Sequence, residues 1–320
     1  MKIIANKYKV LEPLGKGGFG AVYLAQHVDL DEELFAIKIL HPEISSDEGL
    51  LKRFQREAKV LKRLLHPNSI PLRDFGTLED GSYYMAMDYC KGKALSKILK
   101  EKGRLDYKEV LEMMIQVLDV LELAHKEGII HRDLKPDNLM IVEEKGQNIV
   151  KVLDFGIAKI KEAVKGGQDT VSSQMTKEGT VMGTPYYMSP EQCSGSSKID
   201  ERSDIYSLGM VMYHLLSGKS PYFAESIDQL LRKQMTLYPE PFDKVVPEAD
   251  IPLSVSKIVF KAIQKEPENR FQSASEMKEA CQKVLEGFDP LNDNLAFSKV
   301  QEGDPSHKSS GARFFLGTFG

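Results

Sequence analysis

The sequence predicts an α+β fold in which a small, strand-rich N-terminal part precedes a larger, mainly helical part. Over most of residues 1–90, apolar and polar residues alternate, which is typical of half-buried strands. Over residues 91–286, apolar residues recur every three or four positions, which is typical of helices. Asp, Asn, Ser, Gly and Pro accumulate over residues 287–320, so we expect a tail or linker there.

Five antiparallel strands and one main helix are expected in the N-terminal part. The strands fall at about Tyr8–Leu14, Ala21–Val28, Phe35–Leu40, Leu72–Leu78 and Ser82–Tyr89. The apolar spacing becomes helical over Gly49–Leu65, and His66-Pro67-Asn68 ends that helix because proline cannot continue it.

Four helices are expected in the second part, over Tyr107–Lys126, Asp204–Leu216, Val255–Lys265 and Ala274–Glu286. Gly128 and Gly218 follow the first two as candidate C-caps. The helix over Asp204–Leu216 is apolar nearly all round, so we expect it at the centre of the core. The polar stretch Lys161–Gly183 is too long for a simple connection, which favours a functional loop.

Composition narrows the class of protein. The formal net charge of −4 and pI of about 6.0 argue against a nucleic-acid binder. The three cysteines match no zinc or disulfide spacing, which favours a reducing compartment. The first residues lack the apolar core of a signal peptide, and no apolar run of membrane-spanning length occurs. We therefore expect a cytoplasmic protein without a membrane segment in this chain.

A glycine-rich loop, Gly15-Lys16-Gly17-Gly18-Phe19-Gly20-Ala21-Val22, contains the pattern GxGxxG. In a dinucleotide-binding fold this pattern leads into a helix, but here an alternating strand follows it. The loop is therefore predicted to be a hairpin flap whose backbone N–H groups can approach phosphate oxygens without a Cβ clash. Considered alone, it could equally be a hairpin turn that binds no ligand.

Lys38 and Glu57 form a candidate pair. Lys38 lies on a predicted strand, and Glu57 falls on the apolar stripe of the predicted helix, between Phe54 and Leu61. A buried carboxylate needs a cation nearby, and a lysine oriented in this way can hold nucleotide phosphates. Singly, Lys38 could be a solubilising edge charge and Glu57 a solvated helix carboxylate.

The segment from His131 to Asn138, followed by Asp154-Phe155-Gly156, carries the strongest chemical signal. Asp133 can accept a hydroxyl proton, and Lys135 can neutralise charge on a transferring phosphoryl group. Asn138 and Asp154 offer the oxygen ligands that Mg²⁺ prefers. The alternative, an acidic proline-containing loop without chemistry, would not require so many compatible residues in this order.

Together these motifs resemble the catalytic domain of the eukaryotic-type (Hanks-type) serine/threonine protein kinases, from about Tyr8 to Gln282. The resemblance implies a two-lobed fold and phosphoryl transfer from ATP to protein Ser/Thr hydroxyls. Lys135-Pro136-Asp137-Asn138 is similar to the Ser/Thr form of the catalytic loop, and the sequence style is similar to that of bacterial members.

The resemblance also assigns roles to single residues. Lys38 pairs with Glu57, Asp133 is the catalytic base, and Asn138 and Asp154 hold Mg²⁺, with Mn²⁺ as a substitute. The residues implied around ATP are Leu14, Gly15, Lys16, Gly17, Gly18, Phe19, Gly20, Val22, Ala36, Lys38, Met87, Asp88, Cys90 and Met140. Leu61, Leu72, Phe155 and His131 resemble the apolar stack between the lobes, and Glu191 with Arg270 resembles a buried ion pair.

Substrate binding and regulation are implied in the same way. Gly183-Thr184-Pro185 resembles the segment that seats the residue after the phosphoacceptor, with Thr184 near Asp133. Arg132 resembles the arginine of kinases activated by loop phosphorylation, for which Thr180 and then Thr176 are the candidate acceptors. Phosphorylation of one copy by another would require self-association.

Other features in the helical part are implied too. Asp204 resembles the residue that anchors the catalytic loop backbone. Ser189 replaces the usual Ala before Pro190-Glu191, and Tyr206 stands where Trp is frequent.

Two other functions remain open from the residues. A pseudokinase would bind partners without catalysis, but such proteins usually lack one of Lys38, Asp133 and Asp154, and all three are present. A kinase acting on small molecules is disfavoured by the two segments at residues 183–185 and 189–191, which favour a protein substrate.

Overall fold

The computed structural model describes residues 2–17, 20–30, 33–40, 58–155, 185–196 and 198–290. The predicted polar loop at 161–183 and most of the predicted tail lie outside these ranges.

The N-terminal part contains one antiparallel sheet in the order β1-β2-β3-β4-β6-β5. Its strands are β1 (Ile3–Ile4), β2 (Tyr8–Gly17), β3 (Gly20–His27), β4 (Leu34–Leu40), β5 (Leu72–Thr77) and β6 (Tyr83–Asp88). The five predicted strands are confirmed. The additional edge strand, β1, has only two residues and is too short to produce an alternating pattern.

Of the predicted helix over Gly49–Leu65, the structure describes only the end, in which residues 58–61 are helical. Ala58 is fully buried beneath the sheet with Leu72 and Met85. Leu61 packs against this cluster and also against the core of the helical part. The helix end therefore contributes apolar contacts to both parts of the chain.

The second part contains eight α-helices among the described residues: α1 (Leu95–Lys102), α2 (Tyr107–Lys126), α3 (Pro190–Cys193), α4 (Arg202–Ser217), α5 (Ile227–Thr236), α6 (Phe242–Val245), α7 (Leu253–Ala262) and α8 (Ala274–Leu285). The predicted bounds of α2 are confirmed at both ends. Asp106 caps its first turn by accepting a hydrogen bond from the Lys108 N–H, and Gly128 follows its end with φ 71°.

Helix α4 lies at the centre of the helical core, as its apolar sequence predicts. Nearly every residue of α4 is buried, from Ser203 to Ser217. Gly218 ends the helix in the left-handed conformation, with φ 68°. No helix in the described ranges is both long enough and apolar enough to cross a membrane.

Helix α7 ends earlier than predicted, at Ala262 rather than Lys265. Just beyond this end, Arg270, only five or six residues further along the chain, donates hydrogen bonds from Nε to the Gln264 carbonyl and from a terminal nitrogen to the Lys265 carbonyl, both at 2.8 Å. The buried guanidinium thus captures carbonyls at the end of the predicted helix, which a pattern of apolar residues cannot reveal.

A short sheet connects the two parts. Strands β7 (Lys93–Ala94), β8 (Leu139–Glu144) and β9 (Gln147–Val152) pair in that order. Asn68 reaches across to β9, where its side-chain amide donates to the Val150 carbonyl at 2.8 Å and its own carbonyl accepts from the Val152 N–H at 2.8 Å. The segment around Asn68, which follows the helix end at residues 58–61, is therefore hydrogen-bonded to the β8–β9 hairpin that precedes Asp154.

Candidate active site

The described residues of the glycine-rich segment pair across β2 and β3, as the predicted hairpin requires, with Gly17 opposite Gly20. Gly20 has φ 150°, and a Cβ there would lie 1.8 Å from the Ile39 carbonyl oxygen on β4. Only glycine permits this close approach of two strands. Gly15 pairs with Val22 and Lys16 pairs with Ala21, so these four residues lie next to one another on β2 and β3.

Lys38 is positioned by β4 and is only 8% exposed. It lies between Val22 on β3 and Met85 on β6. Its Nζ lies 2.8 Å from Oδ2 of Asp154 in the helical part. The structure thus brings the strand lysine and the predicted metal ligand together across the two parts.

The residues expected around the adenine ring fall on neighbouring strands. Ala36 lies opposite Met87 across β4 and β6, and Met140 on β8 lies opposite Ala94. These side chains and those of Val22 and Leu14 all retain exposed surface, Leu14 the most at 41%. They are accessible for packing against a ring.

Asp88 and Cys90 continue from β6 into the link between the parts. The Asp88 carboxylate accepts two hydrogen bonds from Arg73, at 2.6 and 2.7 Å, so its side chain is committed to that pair. The carbonyl of Cys90 accepts from the Gly92 N–H at 3.0 Å, and burial raises the pKa of the Cys90 thiol. The role predicted for Asp88 and Cys90, hydrogen bonding to the adenine ring, involves only their backbone groups and not these side chains.

Asp204 fixes the backbone of the catalytic loop, in agreement with the resemblance. Its carboxylate is fully buried and accepts from the N–H groups of His131 and Arg132, both at 2.8 Å, and lies 2.8 Å from Nε2 of His125. Burial alone would raise the pKa of Asp204, but hydrogen bonding and charge from His125, with a smaller effect of His131, hold it below its usual value. Arg132 has φ 65°, a left-handed conformation that these bonds help to maintain.

The predicted proton acceptor, Asp133, lies beside the side chain of Lys135. Lys135 Nζ is 3.0 and 3.1 Å from the two carboxylate oxygens of Asp133. A 3₁₀ turn over Pro136–Asn138 follows, and the Asn138 amide nitrogen donates to the Asp133 carbonyl at 2.7 Å. This bond fixes the Asn138 side chain with its carbonyl oxygen as the remaining ligand atom.

Asp154 is brought to the same place by the β8–β9 hairpin. The strands pair Leu139 with Val152, and the Leu153 N–H donates to the Asn138 carbonyl at 2.9 Å. Asp154 itself has φ 58°. Strained residues of this kind cluster at functional sites.

A bound cation would fit the two oxygen donors Asn138 and Asp154. In the described part of the chain, no group of three or more His, Cys, Asp or Glu side chains could hold a metal ion. Two oxygen donors are too few to complete the ligand shell of a divalent cation, so a cation held there would need further ligands such as phosphates and water.

The apolar stack expected between the parts is visible in pieces. The rings of His131 and Phe155 lie edge to face with centroids 4.8 Å apart, and His131 Nε2 lies 2.7 Å from the Leu153 carbonyl. Leu61 packs against the cluster that contains Phe155 and against the one that contains Leu72.

The predicted ion pair of Glu191 and Arg270 is present. Two hydrogen bonds of 2.8 Å join the guanidinium to the carboxylate, and Ser203 Oγ adds a third at 2.5 Å. Burial alone would raise the pKa of Glu191, but Arg270 lowers it to about 2.

One contact of the catalytic loop was missed by the sequence reading. The Gln192 amide donates to the Arg132 carbonyl at 2.8 Å and so joins α3 to the catalytic loop. Gln192 also completes a capping box with Ser189. The Ser-x-x-Gln spacing could have identified this cap, but not the contact with Arg132.

The remaining predicted site residues, namely Gly18, Phe19, Glu57, Thr176, Thr180 and Thr184, lie outside the described residues. Pro185, which follows Thr184, is buried and begins a 3₁₀ turn over Pro185–Tyr187.

Comparison with known proteins gives consistent results. A family model described as "protein kinase domain" matches residues 8–284. The serine/threonine-protein kinase pkn3 of Myxococcus xanthus is 41% identical over 88% of this chain and 51% of its own length. The serine/threonine-protein kinase PrkC of Bacillus subtilis is 36% identical over 91% of this chain and 42% of its own length. The chain thus spans about half the length, or less, of these curated relatives.

A solved structure has the same fold. The PknI kinase domain of Mycobacterium tuberculosis superimposes with a TM-score of 0.67 at 27% identity, over 88% of this chain and 97% of that domain.

Proposed function

Because this chain belongs to the protein kinase domain family, we propose that it is an ATP-dependent serine/threonine protein kinase. The observation that carries the proposal is the arrangement of Asp133, whose carboxylate lies 3.0 Å from Lys135 and whose carbonyl holds Asn138. The same segment approaches Asp154, which pairs with Lys38. A proton acceptor, two cations and two oxygen ligands are thereby gathered at one site.

In the proposed reaction, Asp133 accepts the proton of a Ser or Thr hydroxyl. The hydroxyl oxygen forms a bond to the γ-phosphorus of ATP while the bond from that phosphorus to the β,γ-bridging oxygen breaks, and ADP leaves. Lys135 stabilises the negative charge of the transferring group, and Lys38 orients the α- and β-phosphates. These residues position groups and charges that already exist, which is most of what phosphoryl transfer needs.

Asn138 and Asp154 would hold the divalent cation, Mg²⁺ or its substitute Mn²⁺. When bound, the cation neutralises charge on the β- and γ-phosphates. Leu14, Val22, Ala36 and Met140 would pack against the adenine ring, and Met87 would guard the back of its pocket. The backbone of Asp88 and Cys90 would hydrogen bond to the ring. Thr184 and Pro185 would receive the acceptor segment of a protein substrate.

Purified chain with labelled ATP, Mg²⁺ and a generic basic protein tests this proposal. Asp133→Asn removes the proton acceptor and Lys38→Met removes the phosphate-orienting cation, so each should reduce transfer by orders of magnitude. Asp137→Asn is the matched control, because Asp137 is exposed in the same turn and should leave the rate nearly unchanged. Transfer that persists in both variants, or that never appears in the wild type with any acceptor, would refute the enzyme proposal.

Regulation by loop phosphorylation extends the proposal. A phosphate on Thr180 or Thr176 would add charge near −2 that can pair with Arg132. After incubation with ATP, phosphopeptide mapping should find one of these sites, and Thr180→Ala should lower activity. An active preparation without any phosphorylated loop residue would contradict this part. Phosphorylation of one copy by another would require transient self-association. We also propose that the protein is located in the cytoplasm.

We further propose that residues 1–90 act as the nucleotide-binding lobe and residues 91–286 as the catalytic and substrate-binding lobe. Residues 287–320 would serve as a tail or linker.

A further inference from the structure

Gln234 is a buried polar residue for which the proposed reaction gives no role. It lies on α5 with no exposed surface. Its amide nitrogen donates to the carbonyl of Pro185 at 3.1 Å and to that of Tyr186. Its amide oxygen accepts from the Tyr206 hydroxyl at 2.8 Å. Both donors and the acceptor of the side chain are therefore used.

The two carbonyls held by Gln234 belong to the residues directly after Thr184. Proline supplies no N–H, so Pro185 contributes only a carbonyl to local hydrogen bonding. That carbonyl also accepts from the Met188 N–H, at a longer 3.3 Å. The Gln234 side chain therefore holds two successive backbone carbonyls, those of Pro185 and Tyr186.

Gln234 is itself held from the central core. Lys265 Nζ donates to the Gln234 backbone carbonyl at 2.7 Å and to the Tyr206 hydroxyl at 2.9 Å. The same ammonium lies 5.1 to 5.7 Å from the ring centroids of Tyr206, Tyr222 and Tyr238. Burial, together with the charge of Arg270, lowers the pKa of Lys265 to about 7, and aromatic rings and oxygen acceptors surround its amine in place of a carboxylate. Lys265, Tyr206 and Gln234 form one connected set that ends at the Pro185–Tyr186 backbone.

This polar set is not needed simply to fill the core. A Met or Leu on α5 would fill a similar volume without the cost of burying an amide. What an amide provides, and an apolar side chain does not, is a fixed direction for two backbone carbonyls.

We propose that Gln234 is a positioning residue for protein substrates, which acts by fixing the Pro185–Tyr186 backbone against which the acceptor segment lies. The inference rests on the proposed function, because it assigns a determinant of acceptor binding to the same site. It places the determinant on α5, away from Asp133 and from the nucleotide.

The test compares KM for an acceptor protein, KM for ATP and kcat in three variants. Gln234→Met removes the three side-chain hydrogen bonds at similar volume, and Gln234→Glu keeps the shape but loses donors. Gln264→Met is the matched control: Gln264 is 7% exposed and bonds to Tyr238 and the Phe260 carbonyl, with no contact to the substrate segment.

For both Gln234 variants we expect KM for the acceptor to rise about tenfold or more, since small misplacements of a binding segment have large effects. KM for ATP, and the slow rate of ATP hydrolysis measured without an acceptor protein, should stay within about twofold of the wild-type values. The residues proposed to bind the nucleotide are unchanged in these variants. Gln264→Met should lower the unfolding midpoint comparably without raising KM for the acceptor.

Three results would overturn the inference: an unchanged acceptor KM in the Gln234 variants, an equal rise in Gln264→Met, or failure of both Gln234 variants to fold. The wild-type chain distinguishes the two proposals. An active wild type with unaffected variants refutes only the role of Gln234, whereas an inactive wild type refutes the proposed function and the inference with it.

Discussion

At the scale of single residues, the buried charges of this protein depend on hydrogen bonds from named partners. Asp204 is fully buried and accepts from two backbone N–H groups, and Glu191 is almost enclosed by Arg270 and Ser203. Removing one partner of such a group leaves the other charge buried and unpaired, which costs more than the pair itself contributes. These residues therefore affect stability strongly without touching a substrate.

Glu191 gives a prediction for the pH dependence of stability. Its pKa in the folded chain is about 2, below the ordinary value of 4.5. A carboxyl with a lowered folded pKa stabilises the fold above its unfolded pKa, and that stability is lost as the pH falls from about 4.5 towards 2. We expect a contribution of about 3 kcal/mol at neutral pH.

Urea unfolding at several pH values checks this contribution, with Glu191→Gln compared to Glu268→Gln, since Glu268 is exposed. The difference in unfolding free energy between the two variants should be large at pH 7 and should shrink below pH 4.5. A difference that stays constant with pH would show that Glu191 does not titrate as its contacts imply.

At the scale of elements, the close approach of β3 to β4 depends on one glycine. Gly20 has no room for a Cβ against Ile39, whereas a Cβ on Gly15 would meet no atom within 4 Å. Gly20→Ala should therefore separate the strands and destabilise the chain by about 1 to 3 kcal/mol, and Gly15→Ala should have almost no effect. Urea unfolding without nucleotide measures both, and equal stabilities would contradict the close approach of β3 and β4.

The elements also show what a sequence can and cannot predict. The bounds of α2 follow from its apolar stripe, its Asp106 cap and the glycine after it, all of which are local signals. Strand β1 has only two residues, which carry no periodicity. Helix α7 ends at Ala262, and the carbonyls of Gln264 and Lys265 just beyond it bond to the side chain of Arg270, six and five residues away, which an apolar pattern does not reveal. Apolar periodicity and caps predict elements and some of their bounds, whereas a side-chain hydrogen bond to a backbone carbonyl leaves no periodic signal in the sequence.

The same limit applies to the site. The order of Asp133, Lys135, Asn138 and Asp154 identifies their chemistry, and the structure brings them together. The contact between Gln192 and the Arg132 carbonyl has no sequence motif that predicts it. It joins residues 60 positions apart, and a side-chain amide can bond to any donor or acceptor within reach.

At the scale of the whole molecule, Asn68 makes one of the polar contacts between the two parts, beside the pair of Lys38 and Asp154. Its amide donates to the Val150 carbonyl at 2.8 Å and to Gln116 at 3.0 Å, and it is 7% exposed. Asn68→Ala should lower the free energy of unfolding by about 1 to 3 kcal/mol, because it leaves the Val150 carbonyl without this donor. Asn148→Ala, an exposed site on the same hairpin, should change it by less than about 0.5 kcal/mol.

Both values can be read from urea unfolding curves with a shared slope. Equal effects of the two substitutions would show that the Asn68 side chain contributes no more to stability than that of the exposed Asn148.

Helix α4 contacts both the loop that bears Asp133 and the side chain of Gln234. Asp204, which fixes the loop bearing Asp133, and Tyr206, which holds Gln234, are only two residues apart on this helix. In an α-helix that separation is about 3 Å along the axis and about 200° around it. One rigid helix thus sets the rotation between the contact to the loop that bears Asp133 and the contact to Gln234, and a single-residue insertion between Asp204 and Tyr206 would turn one of these contacts out of alignment whatever happened to the other.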